Sequence, residues 1–146
     1  MKIDQDLSQL SVERDSALTI GVFDGVHRGH LHLIRRLTTE AKSAGLLAGV
    51  VTFRNHPKTV LRPDFKTNYI SDLDERVRLL KEAGIDFVVP VIFDRDLAQL
   101  PAEQFLAKLS DRLRMKTLVV GPDFGMGHKR DGTLDTLPTL GDKLVP

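Results

Sequence analysis

The stretch Ala17-Leu18-Thr19-Ile20-Gly21-Val22-Phe23-Asp24-Gly25-Val26-His27-Arg28-Gly29-His30-Leu31 sets the architecture of this chain. Residues 17–22 form an apolar run with the length and composition of a buried strand. After the run, Leu31, Leu33, Ile34, Leu37 and Ala41 recur at the spacing of one helix face. Residues 21–30 therefore read as a strand-to-helix turn that carries three glycines and two histidines. In an open α/β sheet, ligands bind at such turns, beyond the carboxyl ends of the strands. Glycines let backbone amides approach a phosphate, and a helix start offers unpaired N–H groups and a partial positive charge. His27 and His30, three residues apart at that start, can point the same way.

The same alternation continues outward from the turn. A first strand at 18–23 leads into a helix at 29–44 that Gly45 stops. Residues 46–53 read as a second strand, and 54–69, with Asn55, Pro57 and Pro63, as a long loop of the kind that often carries function. A helix at 71–83 begins at the capping candidates Ser71 and Asp72, buries Leu73, Val77 and Leu80, and ends at Gly84. The charges along it read as its solvated face. A strand at 87–93 and a helix at 101–114 follow; Pro101 takes a first-turn position, and Phe105, Leu106, Leu109 and Leu113 face inward. A strand at 117–120 then opens into a glycine-rich loop at 121–133. Strands separated by helices imply parallel pairing with right-handed crossovers. The expected fold is α/β, a Rossmann-like three-layer α/β/α sandwich with a parallel sheet. Residues 1–15 are polar and precede the first element, and 134–146 show no closing element, as if the domain continued further.

Composition narrows the function classes. At 146 residues the chain fits one domain with a sizeable core. A net charge of +1, with acids and bases interspersed, gives no support for a broad nucleic-acid or membrane surface. The absence of cysteine excludes disulfides and thiolate metal sites. No stretch approaches the roughly 20 apolar residues of a membrane span. A soluble, cytoplasmic single domain is the expectation, with neither nucleic acid nor membrane as partner.

His27 and His30 leave two readings open. An H-x-x-H pair can bind zinc, and His32, His56 and His128 are available in principle as a third ligand. No H-E-x-x-H pattern accompanies it, however, and the neighbouring glycines favour phosphate. His32, between Leu31 and Leu33, reads as a surface or packing residue. The turn itself is neither a G-x-G-x-x-G dinucleotide fingerprint nor a P-loop.

Residues 21–30 resemble the G-x-F-D-G-x-H-x-G-H signature of the adenylyltransferase domain of bacterial bifunctional riboflavin kinase/FMN adenylyltransferases, the FAD synthetase family. Three further segments resemble family motifs in the same order: Thr52-Phe53-Arg54-Asn55-His56-Pro57 (T-F-x-P-H-P), residues 70–76 opening the next helix, and residues 119–127 with Arg130 and Gly132 (V-G-x-D-F-x-F-G, then R-x-G-D). Asn55 stands where the family has its first proline, Leu31 where it often has glutamine, Met126 where it has phenylalanine and Thr133 where it has aspartate. Its Ser-Ser-Thr-x-x-Arg motif would fall beyond Pro146. The resemblance implies that residues 1–146 are a nucleotidyltransferase domain without its C-terminal part and without the riboflavin kinase domain.

The implied reaction transfers AMP from ATP to FMN, giving FAD and pyrophosphate, with Mg2+ accompanying the ATP. By resemblance His27 and His30 are the catalytic pair, donating hydrogen bonds to the phosphates. Gly21, Phe23, Asp24, Gly29 and Asp123 join them as ATP-binding residues. Phe53, Asn55, His56, Pro57 and Phe124 are candidates for the flavin side, and no residue is assigned as a protein metal ligand. Asp24 has a second reading as a residue that fixes the turn, and Phe53 and Phe124 one as core packing. Lys129 and Arg130 read equally as phosphate contacts or as a solvated pair. Two alternatives remain: another phosphorylated acceptor, such as phosphopantetheine or glycerol phosphate, and a non-catalytic ATP or flavin binder.

Overall fold

A computed structural model describes residues 2–23, 28–54, 73–120, 125–126, 132–133 and 144–145. Within these, the chain runs α1 (Lys2–Leu7), β1 (Ser16–Gly21), α2 (Arg28–Ala44), β2 (Leu47–Phe53), α3 (Leu73–Glu82), β3 (Phe87–Val91), α4 (Arg95–Ala98), α5 (Ala102–Leu113) and β4 (Met115–Val119). Short strands β5 (Gly125–Met126), β6 (Gly132–Thr133) and β7 (Leu144–Val145) complete it. The main sheet has the order β3-β2-β1-β4-β7, and each neighbouring pair is parallel. β5 and β6 form a separate antiparallel pair.

Alternation along the strands builds two cores. On one face Ala17, Ala48, Val50 and Val119 pack against Ile34, Leu37 and Ala41 of α2 and Leu80 of α3. On the other, Leu18, Ile20, Val51, Val89 and Leu118 pack against Ile3 and Leu7 of α1 and Phe105, Leu106, Leu109 and Leu113 of α5. The helices thus flank the sheet as two outer layers, which is the expected α/β/α sandwich. The order explains the division. The chain steps from β1 through β2 to β3 in one direction, then returns past β1 to β4. Right-handed crossovers in opposite directions place their helices on opposite faces.

Local chemistry matches much of this. Gly45 and Gly84 follow α2 and α3 with φ of +71° and +104°, the left-handed conformation that ends a helix. Asp94 caps α4 by accepting a bond from the Leu97 amide at 2.8 Å.

Besides the β5–β6 pair inside the loop read at 121–133 and α4, where no element is expected, the sequence reading needs four corrections. Residues 2–7, taken only as part of a polar lead-in, form α1, because Ile3 and Leu7 are one turn apart and both are buried in the core. The Asp6 carboxylate on the same helix accepts a bond from the Ile92 amide at 2.9 Å, just beyond β3. β1 ends at Gly21, so Val22 and Phe23 lie outside the strand. Residues 144–145, assigned no element, pair with Leu118 and Val119 at the sheet edge. The fourth concerns α3, whose charges are not all solvated: Arg76 is 1 % exposed.

Lys108 of α5 donates to Asp4 of α1 at 2.8 Å, both side chains being partly exposed. The bond from Lys108 holds the Asp4 carboxyl below its ordinary value of 3.8. A depressed carboxylate stabilises the fold fully above its unfolded value and loses that contribution as pH falls through the folded one. Lys108→Met is expected to lower the melting temperature slightly near neutrality, since such pairs contribute about 1 kcal/mol or less. The difference from the parent shrinks in melts taken well below pH 3.8. A difference that stays constant into strong acid would contradict this role.

Candidate active site

β1 lies between β2 and β4 and is buried on both faces. Sequence order reverses there, with β2 and β3 on one side and β4 on the other. This is the switch point at which open α/β sheets leave a crevice beyond the carboxyl ends of the strands. The chain leaves β1 at Gly21 and re-enters regular structure at Arg28, the first residue of α2.

Phe23 occupies this exit with φ of +56°, a left-handed conformation in which a bulky side chain is an outlier. The ring is 3 % exposed and belongs to the core beneath α2 and α3. Burial holds the backbone in a shape that local preference disfavours. The same ring meets the imidazole of His30 in an edge-to-face contact, centroids 5.0 Å apart and planes at 70°. His30 sits in the first turn of α2 and is half-buried. An aromatic wedge therefore orients one candidate histidine at the helix start, where backbone N–H groups lack intrahelical acceptors. Gly29 contributes backbone to this same turn.

Gly21 has a steric reason to be glycine. A Cβ there would lie 2.9 Å from Cε2 of Phe23 and 3.1 Å from Cζ, so the ring occupies the space a side chain would need.

Next to β1, Thr52 pairs in register with Gly21, and its hydroxyl donates to the Val22 carbonyl at 2.8 Å. Arg76 of α3 donates through Nη1 to the Phe53 carbonyl at 2.7 Å and to the Thr52 hydroxyl at 3.1 Å. Phe53 itself packs edge-on against Phe93, with centroids 5.4 Å apart, and both rings are half-buried against the core. Packing thus accounts for at least part of Phe53, while its place at the carboxyl end of β2 keeps it beside the crevice.

Of the residues expected from sequence, the structure gathers Gly21, Phe23, Gly29 and His30 at the end of β1 and start of α2, with Phe53 on the adjoining strand end. Asp24, His27, Asn55, His56, Pro57, Asp123 and Phe124 lie outside the described residues, as do Lys129 and Arg130. His32 is exposed, in keeping with a surface role. Among the described residues no group of three His, Asp or Glu side chains is placed to hold a metal ion. Thr52 and Arg76, which stand in the segments at 52–57 and 70–76 that resemble family motifs, carry no role assigned from sequence. Arg76 precedes Leu80 by one helical turn, so it shares that buried face, but its charge suggested solvent.

The fit of Gly21 under Phe23 is open to a direct check. Gly21→Ala is expected to destabilise the fold by about 1–3 kcal/mol in urea unfolding, the usual range for overpacking. In a Phe23→Leu background, which lacks the ring atoms that crowd the new methyl, the same change costs less. Equal costs in both backgrounds would show that the ring does not set the limit at position 21.

Comparisons with known proteins agree with this geometry. The bifunctional riboflavin kinase/FMN adenylyltransferase of Escherichia coli K12 is 38 % identical over 144 residues, covering 97 % of this chain and 46 % of that protein. The protein of the same name from Bacillus subtilis is 32 % identical over 124 residues, covering 84 % and 39 %. The chain thus spans about half the length of these relatives. Among solved structures, a macrolide-efflux protein from Streptococcus pneumoniae superposes with a TM-score of 0.86 at 29 % identity, over 96 % of this chain and 48 % of that one. Among the described residues no helix is long and apolar enough to cross a membrane. Residues 9–145 match the sequence profile of the FAD synthetase family, and with the Phe23–His30 turn at the switch point of a parallel sheet, the chain belongs to that family.

Proposed function

We propose that this chain is an FMN adenylyltransferase domain, transferring AMP from MgATP to FMN. The observation that carries the reading is the position of His30: wedged by Phe23 at the start of α2, beside the carboxyl end of the central strand. An oxygen of the FMN phosphate attacks the α-phosphorus of ATP. A new P–O–P bond forms, the bond between the α-phosphorus and the bridging oxygen breaks, and pyrophosphate leaves. A phosphomonoester has a second pKa of about 6, so the attacking oxygen is already ionised near neutrality and no general base is needed.

What remains is positioning and charge stabilisation. In this reading His30 and His27 donate hydrogen bonds to the α-phosphate and the departing pyrophosphate, assisted by amides near Gly29. Gly21, Asp24 and Asp123 are assigned to the adenosine side, and the buried Phe23 shapes that turn from beneath. Phe53, Asn55, His56, Pro57 and Phe124 are assigned to the flavin. Mg2+ would enter with the nucleotide substrate and offset part of the charge on its phosphates. A cytoplasmic location, where ATP is available, suits this chemistry. The bifunctional relatives suggest a riboflavin kinase domain as the natural neighbour of residues 1–146.

The test is pyrophosphate release by the full natural chain carrying these residues, with MgATP and FMN or another phosphorylated acceptor. FAD formation with FMN is expected. Turnover only with phosphopantetheine or glycerol phosphate, or MgATP binding without any turnover, would overturn the assignment. His30→Ala is expected to lower kcat about a hundredfold or more, with the melting temperature reduced by only a few degrees through loss of the Phe23 contact. Undiminished FAD synthesis in that variant would remove His30 from the chemistry.

A further inference from the structure

We propose that Arg76 is a positioning residue for AMP transfer, acting through Thr52 on the turn that carries His30. The inference rests on the adenylyltransferase reading and extends it to two residues outside the nucleotide-binding turn.

The link is continuous. The Arg76 guanidinium on α3 grips the Phe53 carbonyl and the Thr52 hydroxyl at the carboxyl end of β2. The Thr52 hydroxyl accepts that bond and donates its own hydrogen bond to the Val22 carbonyl, as a hydroxyl with one donor and two acceptor sites allows. Val22 lies one residue past the last ladder position of β1, where Gly21 pairs with Thr52. It immediately precedes Phe23, whose strained backbone and ring fix the direction of His30. One side chain on α3 thereby ties the flavin-side strand end to the nucleotide-side turn.

Burial strengthens the case. Arg76 is 1 % exposed and Thr52 fully buried. A charge taken out of water is expensive unless its hydrogen bonds are well placed, and an apolar residue would fill the same position on α3 at lower risk. A guanidinium whose Nη1 reaches two acceptors at once has a use that leucine lacks: it fixes the Thr52 hydroxyl and the Phe53 carbonyl at the end of β2. Sites for phosphoryl chemistry depend on such placement, because small misalignments reduce the rate steeply.

Two pairs of variants in the full natural chain test this. Thr52→Val removes the hydroxyl and keeps the shape; Thr52→Ser keeps the hydroxyl. Arg76→Met removes the fork, and Arg76→Lys keeps only the charge. Thr52→Val is expected to lower kcat for FAD formation about tenfold, the scale of one well-placed hydrogen bond, with KM for MgATP nearly unchanged. Thr52→Ser restores most of the loss. Arg76→Met lowers kcat by at least as much, Arg76→Lys recovers only part, and the Thr52→Val/Arg76→Met double variant falls less than the product of the single losses. A drop in melting temperature with kcat unaltered in Thr52→Val would reveal a purely structural role and overturn the proposal. Should Arg76→Met fail to fold, the Thr52 pair decides alone.

Ligand-free NMR separates this inference from the functional reading. Thr52→Val is expected to shift the His30 ring resonances, which sense the adjoining Phe23 ring, and Thr52→Ser to leave them near their original positions. If the parent chain forms no FAD, the functional reading fails while these shifts still report the link. His30 resonances that ignore Thr52→Val would overturn the link whatever the enzyme does.

Discussion

Strand β1 is covered on both faces and paired on both edges, and the rest of the molecule accommodates that constraint. A strand enclosed in this way presents its functional groups only at its ends. Its carboxyl end is also the place where the sheet order reverses, the position at which open α/β sheets bind their ligands. Everything assigned to nucleotide handling in the described residues hangs from this one exit: Gly21, Phe23, and the first turn of α2 with Gly29 and His30.

Several weak elements converge on this exit. Phe23 adopts a backbone shape that would be disfavoured in isolation, yet its ring fills the core under α2 and leaves no space for a side chain at Gly21. An edge-to-face pair such as Phe23–His30 contributes about 0.5–1.5 kcal/mol beyond simple burial. The Thr52 hydroxyl occupies the carbonyl that leaves the ladder, and Arg76 occupies Thr52 in turn. Preorganised donors are effective in phosphate chemistry because they need no rearrangement when charge develops. The fold here secures the backbone first and the histidine second.

Pattern and composition revealed the architecture wherever periodicity is long. The seventeen-residue α2, the apolar β1 and β2 and the glycine stops at 45 and 84 were all legible because each repeats its signal or relies on a strong local preference. Six-residue α1 was not, because a helix that short owes its existence to docking Ile3 and Leu7 rather than to propensity. The two-residue pairing at Leu144 likewise carries no pattern of its own. In the site, the glycines and histidines of residues 21–30 read directly as an anion-binding turn. Arg76 did not, because the usual rule sends charge to solvent, and only the positions of the Phe53 carbonyl and the Thr52 hydroxyl reverse it. The left-handed Phe23 was hidden for the same reason: tertiary packing, not local preference, selects it.

The central claim is that MgATP binds at the exit of β1. Its most direct measurement is a titration of MgATP into the isotopically labelled protein, followed by backbone amide and histidine ring resonances. The largest changes are expected at Gly21, Phe23, Gly29 and His30, with smaller ones at Thr52, all along the carboxyl edge of the sheet. Saturable changes confined to the opposite edge, or to the outer surfaces of α3 and α5, would contradict the account.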